Sequence, residues 1–242
     1  MQWLRGYNGR LYPHEFTKVA LNMDSQSFEQ HKKALQAKIV ELSGSIVSHY
    51  VELVSALEEV DGERLKRLGE QSGAIKQMAD DLDSIIISAI PEIELLPENL
   101  HRMIAFLKIS NKLAKAYDIA KKFGKRVSPM LDKDFAGLKI YKDMLELARS
   151  SLKTLEIAHQ VCLNEGVFDL DTTLSRAIAE ESRSDDLFSM IHKDIIISNY
   201  KEEVYVKASI ELFNAGRRLE RAADVALDVV RLVCYIRTGK EG

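Results

Sequence analysis

The chain has 242 residues, 46% of them hydrophobic and 29% charged, with a formal net charge of −3. That balance suits a folded chain with a sizeable core. It gives no global attraction to nucleic acid or to an anionic membrane surface.

The N-terminal stretch MQWLRGYNGRLYPHEF lacks the apolar core of a signal peptide, and residues 1–23 read as irregular or as a short helix. Asp24 can cap a first long helix, in which Leu35, Ile39, Leu42, Ile46, Tyr50, Leu53 and Val54 recur at three-four spacing until Asp61-Gly62. A second helix is predicted over 63–90, ending at Pro91 and burying the trio Ile85–Ile87. Pro97 suits a first helical turn and opens a third helix, which ends before Ser128-Pro129. Asp132 starts a fourth, closed by Glu165-Gly166. Asp169 or Asp171 caps a fifth, and a sixth runs from near residue 200 to Thr238-Gly239.

Twelve glycines and four prolines are few, as long helices require. No segment shows sustained strand alternation, so the expected fold class is all-α, with long consecutive helices packed antiparallel. Cys162 and Cys234 lie among apolar neighbours and read as buried thiols in a reducing compartment. No apolar run reaches the ~18–20 residues of a membrane span. A soluble, cytoplasmic protein is expected.

Six helices divide into two sets of three, and an internal repeat follows. Asp80-Asp81-Leu82 matches Asp185-Asp186-Leu187 at a spacing of 105 residues, and Asp118 matches Asp224 at 106. The predicted organisation is an N-terminal segment at 1–23, a first three-helix repeat at 24–128 and a second at 129–242.

The second repeat carries Glu-x-x-x-Asp twice, as Glu181/Asp185 and Glu220/Asp224. Acids at i and i+4 share a helix face and repel by roughly 0.2–0.5 kcal/mol on an isolated helix. Two explanations fit: Arg217 and Arg221 neutralise the acids of the sixth helix, or a cation sits in front of them. A third such pair, Glu165/Asp169, shows that spacing alone proves little. With a turn centred near 199, the two pairs fall one to two helical turns out of level. In the first repeat the equivalent positions are Lys76/Asp80 and Ala114/Asp118, where both glutamates are gone.

The segments ENLHRMIAFLKISNKLAKAYDIAKKFGKRV (98–127) and RRLERAADVALDVV (217–230) resemble PhoU-type regulators of phosphate uptake. The features that carry the resemblance are LKISNKLAKAYDIA, LERAAD and the DDL of both preceding helices, and it extends over roughly residues 24–238. The branch most resembled is the divergent PhoU-like one associated with Pit phosphate transporters. The resemblance implies two tandem three-helix bundles and a non-enzymatic accessory role in phosphate transport. It also implies a carboxylate site for a divalent metal or iron, made by Glu181, Asp185, Glu220 and Asp224. Lys76 and Ala114 depart from that pattern. Implied partners are a phosphate transporter or a phosphate-signalling protein, with membrane association only through that partner. The reading leaves room for a homo-oligomer.

Oxygen donors of this kind suit Mg, Mn, Ca or iron without selecting among them. Two rival functions remain. One is a metal-free helical scaffold. The other is a di-iron carboxylate enzyme built on Glu98/His101 and Glu156/His159, whose Glu-x-x-His spacing such bundles use. The basic cluster Lys115, Lys121, Lys122, Lys125 and Arg126 is too local for a nucleic-acid footprint. It reads as a solvated face or a dock for an acidic transporter loop. No phosphate-cradling glycine loop and no nucleophile elbow is present.

Overall fold

The computed structural model describes residues 3–5, 11–71, 73–90, 97–164, 168–199 and 206–239. Two antiparallel three-residue strands, β1 (Trp3–Arg5) and β2 (Leu11–Pro13), precede eight α-helices among the described residues. These are α1 (His14–Glu58), α2 (Gly62–Glu70), α3 (Ala74–Ala89), α4 (Pro97–Val127), α5 (Lys133–Gly137), α6 (Lys139–Leu163), α7 (Leu170–Asn199) and α8 (Val206–Thr238). The all-α reading holds, with the short strand pair as its one addition.

The boundaries differ from expectation in three places. α1 begins at His14, so Asp24 lies inside it instead of capping it. Nothing between Pro13 and Gly44 breaks a helix, and a lone aspartate is tolerated mid-helix where no glycine or proline follows. The predicted second helix is two, α2 and α3, parted around residues 71–73. The predicted fourth is also two, because Leu138 turns extended between α5 and α6. Pro91 and Glu165-Gly166 lie outside the described residues.

Apart from Asp24, the expected helix-starting aspartates lie at helix starts, and Asp61 caps α2 as well. The Asp61 side chain accepts the Arg64 N–H at 2.8 Å, and Asp132 accepts the Phe135 N–H at 2.8 Å. Asp169 precedes α7, and its carbonyl accepts the Thr173 N–H at 3.1 Å. Of the isoleucine trio only Ile86 is fully buried, while Ile87 is 57% exposed. Successive residues on a helix point about 100° apart, so three in a row cannot share one core face.

The helices pair through registered contacts. α1 lies along α4, where the buried Tyr50 hydroxyl donates to the Ala116 carbonyl at 2.9 Å. α2 crosses α4 at Gly69 and Gly124: a Cβ on Gly69 would stand 2.6 Å from the Lys125 nitrogen, and one on Gly124 2.8 Å from the Leu65 oxygen. Only glycine permits that approach. α6, α7 and α8 pack on one another. Ser151 donates to Leu219 O at 2.8 Å, and Ser150 to Glu180 O at 3.1 Å. These small buried hydroxyls let backbones draw near while keeping every donor satisfied.

Two antiparallel seams join these groups. α1 meets α6 at Ser43–His159 (2.8 Å) and at Tyr141, which donates to the Leu57 carbonyl. α4 meets α8 at Lys112–Asp228 and Arg126–Glu211. The core is continuous through both seams. Cys162 and Cys234 are both buried. Among the described residues, no helix is long and apolar enough to cross a membrane.

Candidate metal centre

The core face of α8 is small and apolar: Leu219, Ala222, Ala223, Ala226 and Val230 are wholly buried. Glu220 and Asp224 flank that stripe and are half-buried. On α7, Ala177 and Ser184 form the buried face. Glu181 lies between them at helical spacing, which turns it toward α8.

Pairing of α7 with α8 sets the level of the acids. Phe188 meets Phe213 with ring centroids 5.4 Å apart, and Gly216 sits under Phe188. Further from the turn, carboxylate oxygens of Glu181, Asp185 and Asp224 all lie within 4.8 Å of one another. The acids are therefore level, not one to two turns apart. The register differs from the expected one because α7 runs to Asn199 and α8 begins only at Val206.

Glu220 stands outside the group of three but within its field. Its carboxyl is pushed up to about 7, first by burial and then by the charges of Asp224 and Asp185. Burial also raises Glu181 and Asp224, and each is raised further by the charge of Asp185. Arg217 and Arg221 act on Glu220 only as weaker opposing charges. Neither closes an ion pair within 4.0 Å among the described residues. The arginines thus offset the acids only in part, and the raising influences of burial and like charge outweigh them.

The donor set fits a hard cation. Oxygens bind Ca2+ at 2.3–2.6 Å, so two ligands on opposite sides of one ion stand at most about 5 Å apart. The 4.8 Å limit meets that condition. Glu181, Asp185 and Asp224 would hold the ion, with Glu220 as a neighbour able to join them.

Sequence reasoning missed Asp228 and Arg231. Asp228 raises Asp224 by charge, and Arg231 lowers Glu181. Both follow Asp224 at i+4 and i+7 on one α8 face, which is the signal that could have found them.

The other sequence candidates are placed elsewhere. His159 contacts Ser43 of α1, and the His101 ring lies 6.2 Å from that of Tyr235 on α8. The two Glu-x-x-His motifs therefore address different helices. Asp118 meets Lys122 at 3.9 Å. Within the basic cluster, Arg126 is paired with Glu211 at 2.8 Å and Lys121 sits 5.5 Å from the Tyr117 ring.

No family model matches the chain. A phosphate-specific transport system accessory protein PhoU homolog of Caulobacter vibrioides is 22% identical over 223 residues, 89% of this chain and 92% of that one. PhoU homolog 1 of Methanothermobacter thermautotrophicus is 22% identical over 215 residues, 87% and 94% of the two chains. The crystal structure of PhoU from Pseudomonas aeruginosa matches with a TM-score of 0.75 at 14% identity, covering 88% of this chain and all of that one.

The chain is PhoU-like. The phosphate transport system regulatory protein PhoU from Streptococcus pneumoniae gives a TM-score of 0.73 at 16% identity, covering 89% of this chain and 99% of that one. Asp185 is exposed and Glu181 and Asp224 are half-buried, so the α7–α8 acids reach the surface of this PhoU-like fold.

Proposed function

We propose that this chain is an accessory regulator of phosphate transport that acts by contact with a transporter or signalling partner and not by turnover. Nearly full-length similarity to two curated PhoU homologs supports the role. The observation that carries the mechanism is the three-carboxylate group bridging α7 and α8. A divalent or iron ion there would cancel the mutual repulsion and tie the two helices together.

The repeat reading belongs to the same proposal. α3 and α4 are the counterparts of α7 and α8, with units at 24–128 and 129–242, and the first unit is mainly structural. The finer assignment to Pit transporters rests on the sequence resemblance, whereas the curated relatives are described as accessory proteins of the phosphate-specific transport system.

Elemental mass spectrometry on untagged protein purified without chelators tests the metal. At least one equivalent per chain is expected, reduced in Glu220→Ala/Asp224→Ala with helicity intact. Metal-free protein whose melting temperature ignores added Mn, Fe, Zn and Mg would sink it. The regulatory role is tested separately, by phosphate uptake in cells with and without the protein. Equal uptake under both scarce and abundant phosphate counts against it.

A further inference from the structure

Between α4 and α8 lies an open groove of about 500 Å3. It begins one turn beyond Asp224, at Asp228, and continues past Arg231 to Tyr235. Its cations are Lys108, Lys112 and Arg231, and its one acid is Asp228. Asp228 takes one contact from Lys112 and a longer one, 3.9 Å, from Arg231. An ammonium has three donors and a guanidinium five, so both keep donors free. Lys108 has no ion-pair partner among the described residues. Three positive charges against one negative leave a surplus of two.

The rest of the groove is apolar or aromatic. Ile104 and Ala105 of α4 and Leu232 of α8 also line it, with Ile104 40% exposed. The rings of His101 and Tyr235 stand at one end, tilted by 47° and 6.2 Å apart. Small-molecule sites have volumes of about 300–1,000 Å3, lie between bundle helices, and combine apolar walls with a few convergent polar groups. This groove has each of those properties.

We propose that the α4–α8 groove binds a phosphomonoester with an aromatic or heteroaromatic body, its phosphate held by Lys108, Lys112 and Arg231. A phosphomonoester carries a charge of about −1.5 to −2 at neutral pH, which matches the surplus, whereas a single carboxylate would cancel half of it. Arginine offers a planar fork to two phosphate oxygens and lysine a point charge. The ring of the ligand stacks at the Tyr235 end against Leu232 and Ile104. The site uses none of the acids of the candidate metal centre; Arg231 alone also acts on Glu181, so Lys108→Ala is the variant that tests the groove apart from that centre.

Isothermal titration calorimetry on the full chain tests it, with adenosine 5′-monophosphate and phenyl phosphate as probes. Both bind with a Kd below about 1 mM, while adenosine and inorganic phosphate bind at least about tenfold more weakly. Lys108→Ala and Arg231→Gln each weaken adenosine 5′-monophosphate about tenfold or more. Silence with both probes overturns the proposal. So does inorganic phosphate binding as tightly as the probes, or an affinity unchanged in both variants. If Arg231→Gln does not fold, Lys108→Ala decides alone, since that exposed side chain can be shortened without disturbing the core.

Discussion

Glu181 of α7 and Asp224 of α8 present carboxylate oxygens to each other across the helix pair, within 4.8 Å. Each is raised by burial and by neighbouring charge. Asp224→Asn therefore has opposite effects in two states. In metal-free protein it relieves repulsion, and the melting temperature rises by about 1–2 °C. With added Mn2+ the wild type gains stability and the variant does not. Differential scanning fluorimetry with and without Mn2+ reads both outcomes.

Glu220 gives a pH dependence of known sign. Burial and the charges of Asp224 and Asp185 push its folded-state carboxyl from the ordinary 4.5 up to about 7. The folded state therefore holds a proton that the unfolded state has released between those values, and stability falls as pH rises through this window. Glu220→Gln flattens the slope between pH 5 and 7 in denaturant titrations. His49 acts in the opposite sense: burial lowers it, so its contribution is lost as pH falls below the ordinary histidine value. The slope should be read as the difference between wild type and Glu220→Gln, which removes the shared histidine contribution.

Gly124→Ala is expected to be costly. The new methyl would meet the Leu65 carbonyl at 2.8 Å, a backbone atom that cannot swing aside. Overpacking of this kind costs about 1–3 kcal/mol, a fall of several degrees in melting temperature. Gly137→Ala is the control, because nothing stands within 4 Å of its Cβ position.

Tyr50 separates hydrogen bonding from volume. Tyr50→Phe removes the bond to Ala116 O but keeps the ring, and a loss of about 0.5–1.5 kcal/mol is expected by denaturant unfolding. Tyr50→Ala opens a cavity between α1 and α4, with a loss of about 3–5 kcal/mol.

Much of the fold was legible in periodicity. The run from Leu35 to Val54 is buried as the three-four spacing predicts, and Asp61, Asp132 and Asp169 mark helix starts. The missed breaks fall beside Gly73 and Gly137, local breaker signals overshadowed by the run of apolar periodicity. The α2 break is tied to tertiary packing, since Gly69 and Gly124 matter only once α2 and α4 touch. The acids were legible as pairs on each helix, but their mutual level was not. It depends on how far α7 and α8 extend toward their turn.

The sequence by itself determined the helical class, the starts of α2, α4, α5 and α7 and the identity of the acids, because these follow from local spacing and capping chemistry. Only the tertiary structure decided which acids meet, that Glu220 stands beside the group of three, and that Arg217 and Arg221 offset the charge only in part. It alone joined Lys108 and Lys112 of α4 with Arg231 of α8. Such meetings depend on helix register and on burial, which are properties of the packed chain and not of any one segment.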